Sequence, residues 1–341
     1  MVKKIKFGII GYGNIGKRHA EHIQNQAELV SVCDINPVAL NELSKKYPAA
    51  KTYKSVDEML LSDKESEVIS VCTPNGLHAE HTILSLRNGK NVICEKPMAL
   101  NVRDCEKMID ESIKANKNLF VVKQNRYNPP VQRVKELLDK NILGKIFSAQ
   151  VNCFWNRNNR YYAESNWKGS LNLDGGILFT QFSHFVDLML WLLGDVKNVR
   201  SFSNNFNHKD IIKFEDTLIA ILEMESNCLC TLNCTINSYN KNMEGSITLF
   251  GEKGTVKIGG QYLNVLEYQN IEGHKIENLE EMKKPNDYGF YQGSMSNHDK
   301  VISNVIDVLS NGAHIDVNGI DGLRTVRVIE NIYKQVPTEV I

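Results

Sequence analysis

The chain has 341 residues, with forty basic and forty acidic side chains and no net charge at pH 7. No global field draws it to nucleic acid or an anionic membrane, and no apolar run approaches the ~20 residues needed to cross a bilayer. Eight cysteines lie far apart, mostly in apolar runs, and no signal-peptide h-region follows Met1-Val2-Lys3-Lys4, so the expectation is a two-domain cytoplasmic protein without disulfides.

The first element is an apolar run, Phe7 to Ile10, leading without a spacer into Gly11-Tyr12-Gly13-Asn14-Ile15-Gly16. Ile15, His19 and Ile23 then recur at helical spacing, and the run Glu28 to Cys33 ends on Asp34. Strand, glycine turn, helix, strand and acid within about thirty residues form a dinucleotide-binding unit. Gly11 permits the tight turn, Gly13 lets backbone approach a pyrophosphate, and Gly16 lets helix and strand pack closely. The helix N-terminus would receive the phosphates. Asp34 can accept from both ribose hydroxyls and would repel a 2′-phosphate, which favours NAD over NADP.

Helices follow at Pro37 to Tyr47 and, after the capping box Ser55-Val56-Asp57-Glu58, in the next segment. Strands are expected at Ala50 to Tyr53, Glu67 to Cys72, Val92 to Cys94 and Leu119 to Val122, with a helix over Asn101 to Asn116. Six short strands alternating with helices give a doubly wound parallel sheet, an α/β Rossmann domain over residues 1–124. Ligands lie beyond the carboxyl ends of such strands. The turn Thr73-Pro74-Asn75-Gly76-Leu77-His78 and the pair Glu95-Lys96 before Pro97 both fall there. A lysine at that edge can hydrogen-bond a substrate hydroxyl, and burial or a neighbouring cation would lower its pKa.

The combination of GYGNIG, CTPNGLH and CEKP resembles the Gfo/Idh/MocA (glucose–fructose oxidoreductase, inositol dehydrogenase, rhizopine catabolism) family. The resemblance implies that Lys96 contacts the reacting sugar and the nicotinamide. It also implies that Thr73, Pro74, Asn75, His78 and Glu95 line the cofactor.

The second domain, residues 125–341, begins at the crossing Gln124-Asn125-Arg126-Tyr127-Asn128-Pro129-Pro130, whose prolines suit a helix start. Phe147, Ala149, Val151, Cys153 and Trp155 alternate with Ser148, Gln150 and Asn152, a strand with one polar face. Further strands are read at Thr217 to Met224, Cys228 to Ile236, Ser246 to Phe250, Thr255 to Ile258 and Tyr262 to Tyr268. This predicts an α+β domain with a large, mostly antiparallel open sheet, whose exposed face suits pairing with a second copy in a dimer or tetramer. Cys228, Cys230 and Cys234 share one strand face, which cannot wrap a tetrahedral ion, so no metal is expected.

The polar segment Asn156 to Tyr162 carries Arg157, Arg160, Tyr161 and Tyr162, and Trp167-Lys168 follows. Arg126, Arg157 and Arg160 offer forked donors for phosphate or carboxylate, and Tyr161, Tyr162 and Trp167 offer stacking surfaces. After Asp174-Gly175-Gly176, one helix is expected from Leu178 to Leu193, with Thr180, His184, Asp187 and Trp191 in one arc and Gln181 beside it. By resemblance this helix carries the histidine that meets the EKP lysine, and His184 matches it. Many family members have an aspartate four residues before that histidine. Thr180 stands there in this chain, so His184 and Lys96 are left as the acid–base pair.

From Gln124 to Gly194, with NRYNPP, FWNRNNRYY, WKG and the DGG-to-HFVD stretch, and again at Gly293 to Asp299, the chain most resembles sugar-nucleotide 3-dehydrogenases of surface-polysaccharide pathways, acting on UDP-N-acetylglucosamine or its uronate. The resemblance implies Gln124 and Trp167 at the cofactor, and Asn125, Arg126, Tyr127, Arg157, Arg160, Tyr161, Tyr162, Thr180 and Gln181 at the substrate. Two rival readings stay open: a dehydrogenase or ketoreductase of another sugar or polyol such as inositol, and a non-catalytic NAD(P)-binding sensor. The last helices are read near Asp299 to Leu309 and Leu323 to Tyr333, and Glu277 to Asp287 is read as a polar loop.

Overall fold

The structure is a computed structural model, described for residues 4–280, 285–287, 289 and 291–336. The first strands and helices are β1 (Lys6–Ile10), α1 (Asn14–Gln26), β2 (Glu28–Cys33), α2 (Pro37–Lys46), β3 (Lys51–Tyr53) and α3 (Val56–Ser62). They continue with β4 (Val68–Val71), α4 (His78–Arg87), β5 (Asn91–Cys94), α5 (Val102–Ala115) and β6 (Leu119–Val121). The strands form one sheet in the order β3-β2-β1-β4-β5-β6, and every pair in it is parallel. β4 is apolar and fully buried, as expected for a strand covered on both faces. Caps stop the helices from fraying. Asn36, Ser55 and Asn101 each accept a backbone N–H near the start of α2, α3 and α5. The sheet order reverses between β1 and β4, so the crevice beyond their carboxyl ends receives Gly11 and Thr73, with Lys96 beyond β5.

The chain continues with α6 (Pro129–Asp139), β7 (Ile146–Phe154), α7 (Asn159–Ala163), α8 (Ile177–Thr180), α9 (Ser183–Leu193), β8 (Val196–Asn204), β9 (Thr217–Met224) and β10 (Leu229–Thr235). After them come β11 (Glu244–Gly251), β12 (Gly254–Gly259), β13 (Val265–Ile271), β14 (Pro285–Asp287), β15 (Gln292–Met295), α10 (His298–Asn311) and α11 (Gly319–Tyr333). The larger sheet has the order β13-β12-β11-β7-β10-β9-β8, antiparallel except where β7 meets β10. Its covered face holds Ala149, Val151, Cys153, Cys230, Leu232, Cys234, Leu218 and Ala220, all buried. The cysteines are free thiols in this core, pushed up in pKa by burial. The other face exposes Phe202, Ile219, Ile221, Leu229 and Tyr268.

Three sequence expectations change. First, the two compact units are not divided once near residue 124. One contains Met1–Lys123 with His298–Val326, the other Gln124–Asn297 with Arg327–Ile341. The cause is the apolar face of α10 (Val301, Ile302, Val305), which packs on α1. The stretch leading into α11 joins β6, where Val121 N–H donates to Val317 O at 3.1 Å. Second, the helix expected over Leu178 to Leu193 is broken. Gln181 and Phe182 N–H both donate to Ile177 O, at 3.0 Å each, and α9 starts afresh at Ser183. That extra residue takes Thr180 off the stripe of His184. Third, β8 is a full edge strand absent from the sequence reading, because its only large apolar side chains are Val196, Val199 and Phe202 among polar ones. The segment read as a polar loop also carries β14, paired with β15.

Candidate functional site

In the first unit, Gly11 has φ +93°, and a Cβ there would sit 2.8 Å from the Cys72 backbone. A Cβ on Gly16 would lie 2.0 Å from Gly11 O, so helix and turn touch there. A Cβ on Gly13 would meet nothing within 4 Å, which leaves room for a ligand at that position. Gly13 and Asn14 are exposed and Ile15 half-buried. α1 begins with no side-chain cap and no acid in its first turn, so its N–H groups suit a diphosphate. Asp34 accepts from Tyr12 N at 2.6 Å and Asn36 N at 2.7 Å, which fixes the carboxylate at the end of β2. These residues fit a dinucleotide.

The turn after β4 is held from beneath. His78 is buried, with Nδ1 2.7 Å from Pro97 O and Nε2 2.8 Å from Thr73 O. Burial lowers its pKa against the pull of the two carbonyls. The ring therefore ties the 73–78 turn to the Lys96-Pro97 turn. Thr73 Oγ1 lies 3.1 Å from His81 Nδ1, a partner the sequence did not single out.

Glu95 is likewise turned inward. Its Oε1 is 2.9 Å from His19 Nε2 and 3.3 Å from His298 Nε2, and its Oε2 accepts the Lys96 N–H at 3.1 Å. Ser70 Oγ is 2.6 Å from His19 Nδ1. Burial acts against the Glu95 carboxylate, yet the two imidazoles hold its pKa well below the ordinary range. The ligand atoms of His19, Glu95 and His298 lie within 4.8 Å of one another, a spacing that also suits a cation. The aligned 2.9 Å contact is a hydrogen bond, however, and a proton already satisfies it. Sequence spacing marked His19 as a member of a helical stripe and gave no sign of His298. Lys96 is half-buried above this cluster.

In the second unit, Gln124–Tyr127 forms a single 3-10 turn. Gln124 Nε2 is 3.5 Å from His184 Nε2 and 2.9 Å from Ser294 Oγ. Asn125 is buried and Tyr127 half-buried. Arg126 gives both arms of its fork to Asp187, Nε to Oδ2 at 2.9 Å and Nη2 to Oδ1 at 2.8 Å, and stacks 5.3 Å from the Trp191 ring. Its donors are committed within the protein, so it is not carried forward as a phosphate ligand. Arg160 is exposed and paired with Glu164 at 2.6 Å, a surface contact worth little. Thr180 Oγ1 donates to Asp174, whose other carboxylate oxygen accepts Gly169 N–H at 2.7 Å. Trp167 is half-buried.

Arg157 differs from the other two arginines. It is buried, and its guanidinium lies 5.0 Å from the Trp155 and Tyr161 rings and 5.4 Å from Tyr291. It donates from Nη1 to Asn156 O at 2.7 Å and Asn242 Oδ1 at 3.2 Å, while Nε has no hydrogen-bond partner among the described residues. No carboxylate forms an ion pair with it among those residues. Lys168 Nζ sits 3.7 Å from the Tyr161 ring centroid, and Gln181 donates to Tyr161 Oη at 3.2 Å. Tyr162 is buried, edge-on to His208. His208 lies between Asp216 Oδ2 at 3.1 Å and Arg157 O at 2.8 Å, so it fixes the Arg157 backbone. This buried guanidinium is surrounded by π faces and amide oxygens, and no acid among the described residues neutralises it.

Comparison with known proteins agrees with this geometry. Residues 5–123 match the GFO_IDH_MocA oxidoreductase family's NAD-binding Rossmann fold, and residues 135–339 match its C-terminal alpha/beta domain. The WlbA dehydrogenase of Bordetella pertussis, crystallised with NADH and UDP-GlcNAcA, is 33% identical with a TM-score of 0.87, covering 98% of this chain and 96% of that one. The WlbA dehydrogenase of Chromobacterium violaceum, in complex with the same two molecules, is 32% identical with a TM-score of 0.87, covering 98% and 94%. Myo-inositol 2-dehydrogenase of Thermotoga maritima is 27% identical over 260 residues, 74% of each chain.

Proposed function

The chain belongs to the Gfo/Idh/MocA oxidoreductase family, and from that premise we propose that it oxidises the 3-hydroxyl of a UDP-linked N-acetylhexosamine uronate, in surface-polysaccharide biosynthesis. NAD is its cofactor. The observation that carries the substrate reading is Arg157, a caged guanidinium without an internal acid. A free sugar or polyol leaves that charge without an anionic partner, whereas a UDP-linked uronate supplies a sugar carboxylate as well as its diphosphate. The WlbA proteins, crystallised with UDP-GlcNAcA, support the same choice.

The glycine turn, the N-terminus of α1 and Asp34 would hold NAD, which when bound would supply the hydride acceptor for oxidation at the carbinol carbon. The chain's own residues align the alcohol and manage its proton. In this reading the hydroxyl proton passes to the neutral His184 imidazole, leaving a ketone and an imidazolium. The Lys96 ammonium donates to the same oxygen and orients it. Thr180 is held by Asp174 and cannot titrate, so the proton is left to His184 and Lys96.

The test is NADH formation with UDP-N-acetylglucosamine uronate, UDP-N-acetylglucosamine and myo-inositol. Turnover that favours the uronate by tenfold or more is expected, and equal or greater turnover of myo-inositol overturns the reading. We also propose that the exposed sheet face around Phe202, Ile219 and Ile221 pairs two copies of the chain. Ile221→Glu would then yield monomer in light scattering.

A further inference from the structure

We propose that His208 is a positioning residue for substrate choice, holding Arg157 where its guanidinium can meet the sugar carboxylate. The inference rests on the reading of Arg157 as the uronate contact. A forked donor recognises a carboxylate along a narrow set of directions, so whatever holds the Arg157 main chain also sets selectivity.

That support comes from residues 205–216, the connection between β8 and β9. Its ends are close, since Asp216 N–H donates to Asn204 O at 3.1 Å, and the segment closes into a compact loop. Asn205 braces it from within. Its Oδ1 accepts His208 N–H at 2.9 Å and its Nδ2 donates to Phe214 O at 2.7 Å. His208 is buried and edge-on to the Tyr162 ring. Its Nε2 lies 2.8 Å from Arg157 O, and its Nδ1 lies 3.1 Å from Asp216 Oδ2. A carbonyl and a carboxylate both accept, so the ring donates to each.

Asp216 reaches Arg157 by a second route. Its main-chain O accepts Ile236 N–H at 3.0 Å, and Ile236 O accepts Arg157 N–H at 3.0 Å. Both polar groups of the Arg157 main chain are thus tied to Asp216, one through His208 and one through Ile236. The carboxylate is itself fixed, because Oδ2 also accepts Phe206 N–H at 3.1 Å and Asn207 N–H at 2.8 Å. Burial opposes its charge, but the His208 hydrogen bond and the backbone N–H groups lower its pKa to about 2. The guanidinium end has softer guides, the Trp155, Tyr161 and Tyr291 rings with Asn156 O and Asn242 Oδ1. A shift of the main chain therefore carries the guanidinium with it.

The test uses the full chain with two variants. His208→Phe keeps a ring against Tyr162 and donates nothing, whereas His208→Gln keeps an N–H for Arg157 O. Calorimetric titration in the presence of NADH reads the Kd of UDP-N-acetylglucosamine uronate and of UDP-N-acetylglucosamine without turnover. In His208→Phe the ratio of the first constant to the second is expected to rise about tenfold or more. His208→Gln should recover most of that loss. The Nε–H signal of Arg157, in protein labelled at arginine nitrogen, should move in His208→Phe and return in His208→Gln. Thermal midpoints check folding. If the stranded Asp216 carboxylate unfolds His208→Phe, the double variant with Asp216→Asn removes that charge and is read in its place. Equal weakening for both ligands, or an unmoved Arg157 signal in the folded variant, overturns the proposal. A native protein that binds both ligands equally overturns the uronate reading instead, a result visible before any variant is made.

Discussion

Glu95 Oε1 lies 2.9 Å from His19 Nε2, which joins the helix after the glycine turn to the strand end that bears Lys96. Both side chains are buried. Burial alone would lower the His19 pKa, but the Cys72 sulfur and the Glu95 carboxylate outweigh it and raise it to about 10. A histidine whose folded pKa is raised contributes stability that is complete below about 6.5 and fades as pH climbs toward 10. Glu95, with a depressed pKa, contributes above about 4.5 and loses its share as pH falls further. His19→Gln removes one partner of a buried pair and is expected to cost about 3–5 kcal/mol near neutral pH. Denaturant melts from pH 6.5 to 10 should show the native advantage over this variant shrinking. A constant gap across that range contradicts the ion pair.

Two glycines of the same turn should respond differently to a single methyl group. Gly13→Ala meets open space, so the melting temperature is expected to stay within about 2 °C. NAD affinity should fall at least tenfold, because the methyl occupies the path of the pyrophosphate. Gly16→Ala pushes a Cβ to 2.0 Å from Gly11 O and should lose both stability and NAD binding. Calorimetric titration with NAD beside thermal melts separates the two. Full NAD affinity in Gly13→Ala would move the phosphate site elsewhere.

Arg157→Met tests the anion cage. Charge-assisted hydrogen bonds are worth about 1.5–3 kcal/mol, so KM for the uronate should rise roughly 10- to 150-fold. KM for UDP-N-acetylglucosamine, which carries the diphosphate but no sugar carboxylate, should change far less. The variant removes a buried cation without an internal acid, and its thioether stays among Trp155, Tyr161 and Tyr291. The melting point should therefore hold. Equal losses for both substrates would make Arg157 a structural residue.

How much of this the sequence revealed depended on whether the signal was local. β1 to β6 were legible to within a residue or two, since each is a short apolar run bounded by turn residues. The glycine turn with Asp34 and the Glu95-Lys96 strand end were legible as local patterns for the same reason, whereas His184 was singled out only through the family resemblance. The fates of three arginines were not. Arg126, Arg157 and Arg160 are alike in sequence, and only the fold assigns Asp187 to one, an aromatic cage to another and Glu164 to the third. The contacts of His298 with Glu95 and of Gln124 with His184 were hidden because the partners lie 203 and 60 residues apart in sequence (298 − 95; 184 − 124). The break before α9 was hidden too, because an extra residue in a helix leaves the composition unchanged.

Glu215 gives the last prediction. It is fully buried, and burial raises its pKa to about 7, against the lowering effect of the Tyr333 hydroxyl that donates to Oε1 at 2.7 Å. The same hydroxyl accepts the Leu178 N–H at 3.1 Å, and Oε2 has no hydrogen-bond partner among the described residues. A carboxyl whose folded pKa lies above its unfolded value binds its proton more tightly when folded. Its contribution is therefore complete below about pH 4.5 and disappears as pH rises through 7, where the buried group must ionise. Glu215→Gln keeps an acceptor for Tyr333 and carries no charge at any pH. Its melting temperature relative to the native protein is expected to climb from pH 5 to pH 8, by several degrees in all. Thermal melts in a buffer series read the difference directly. A difference that stays flat, or falls with pH, would mean that Glu215 is ionised in the folded protein throughout.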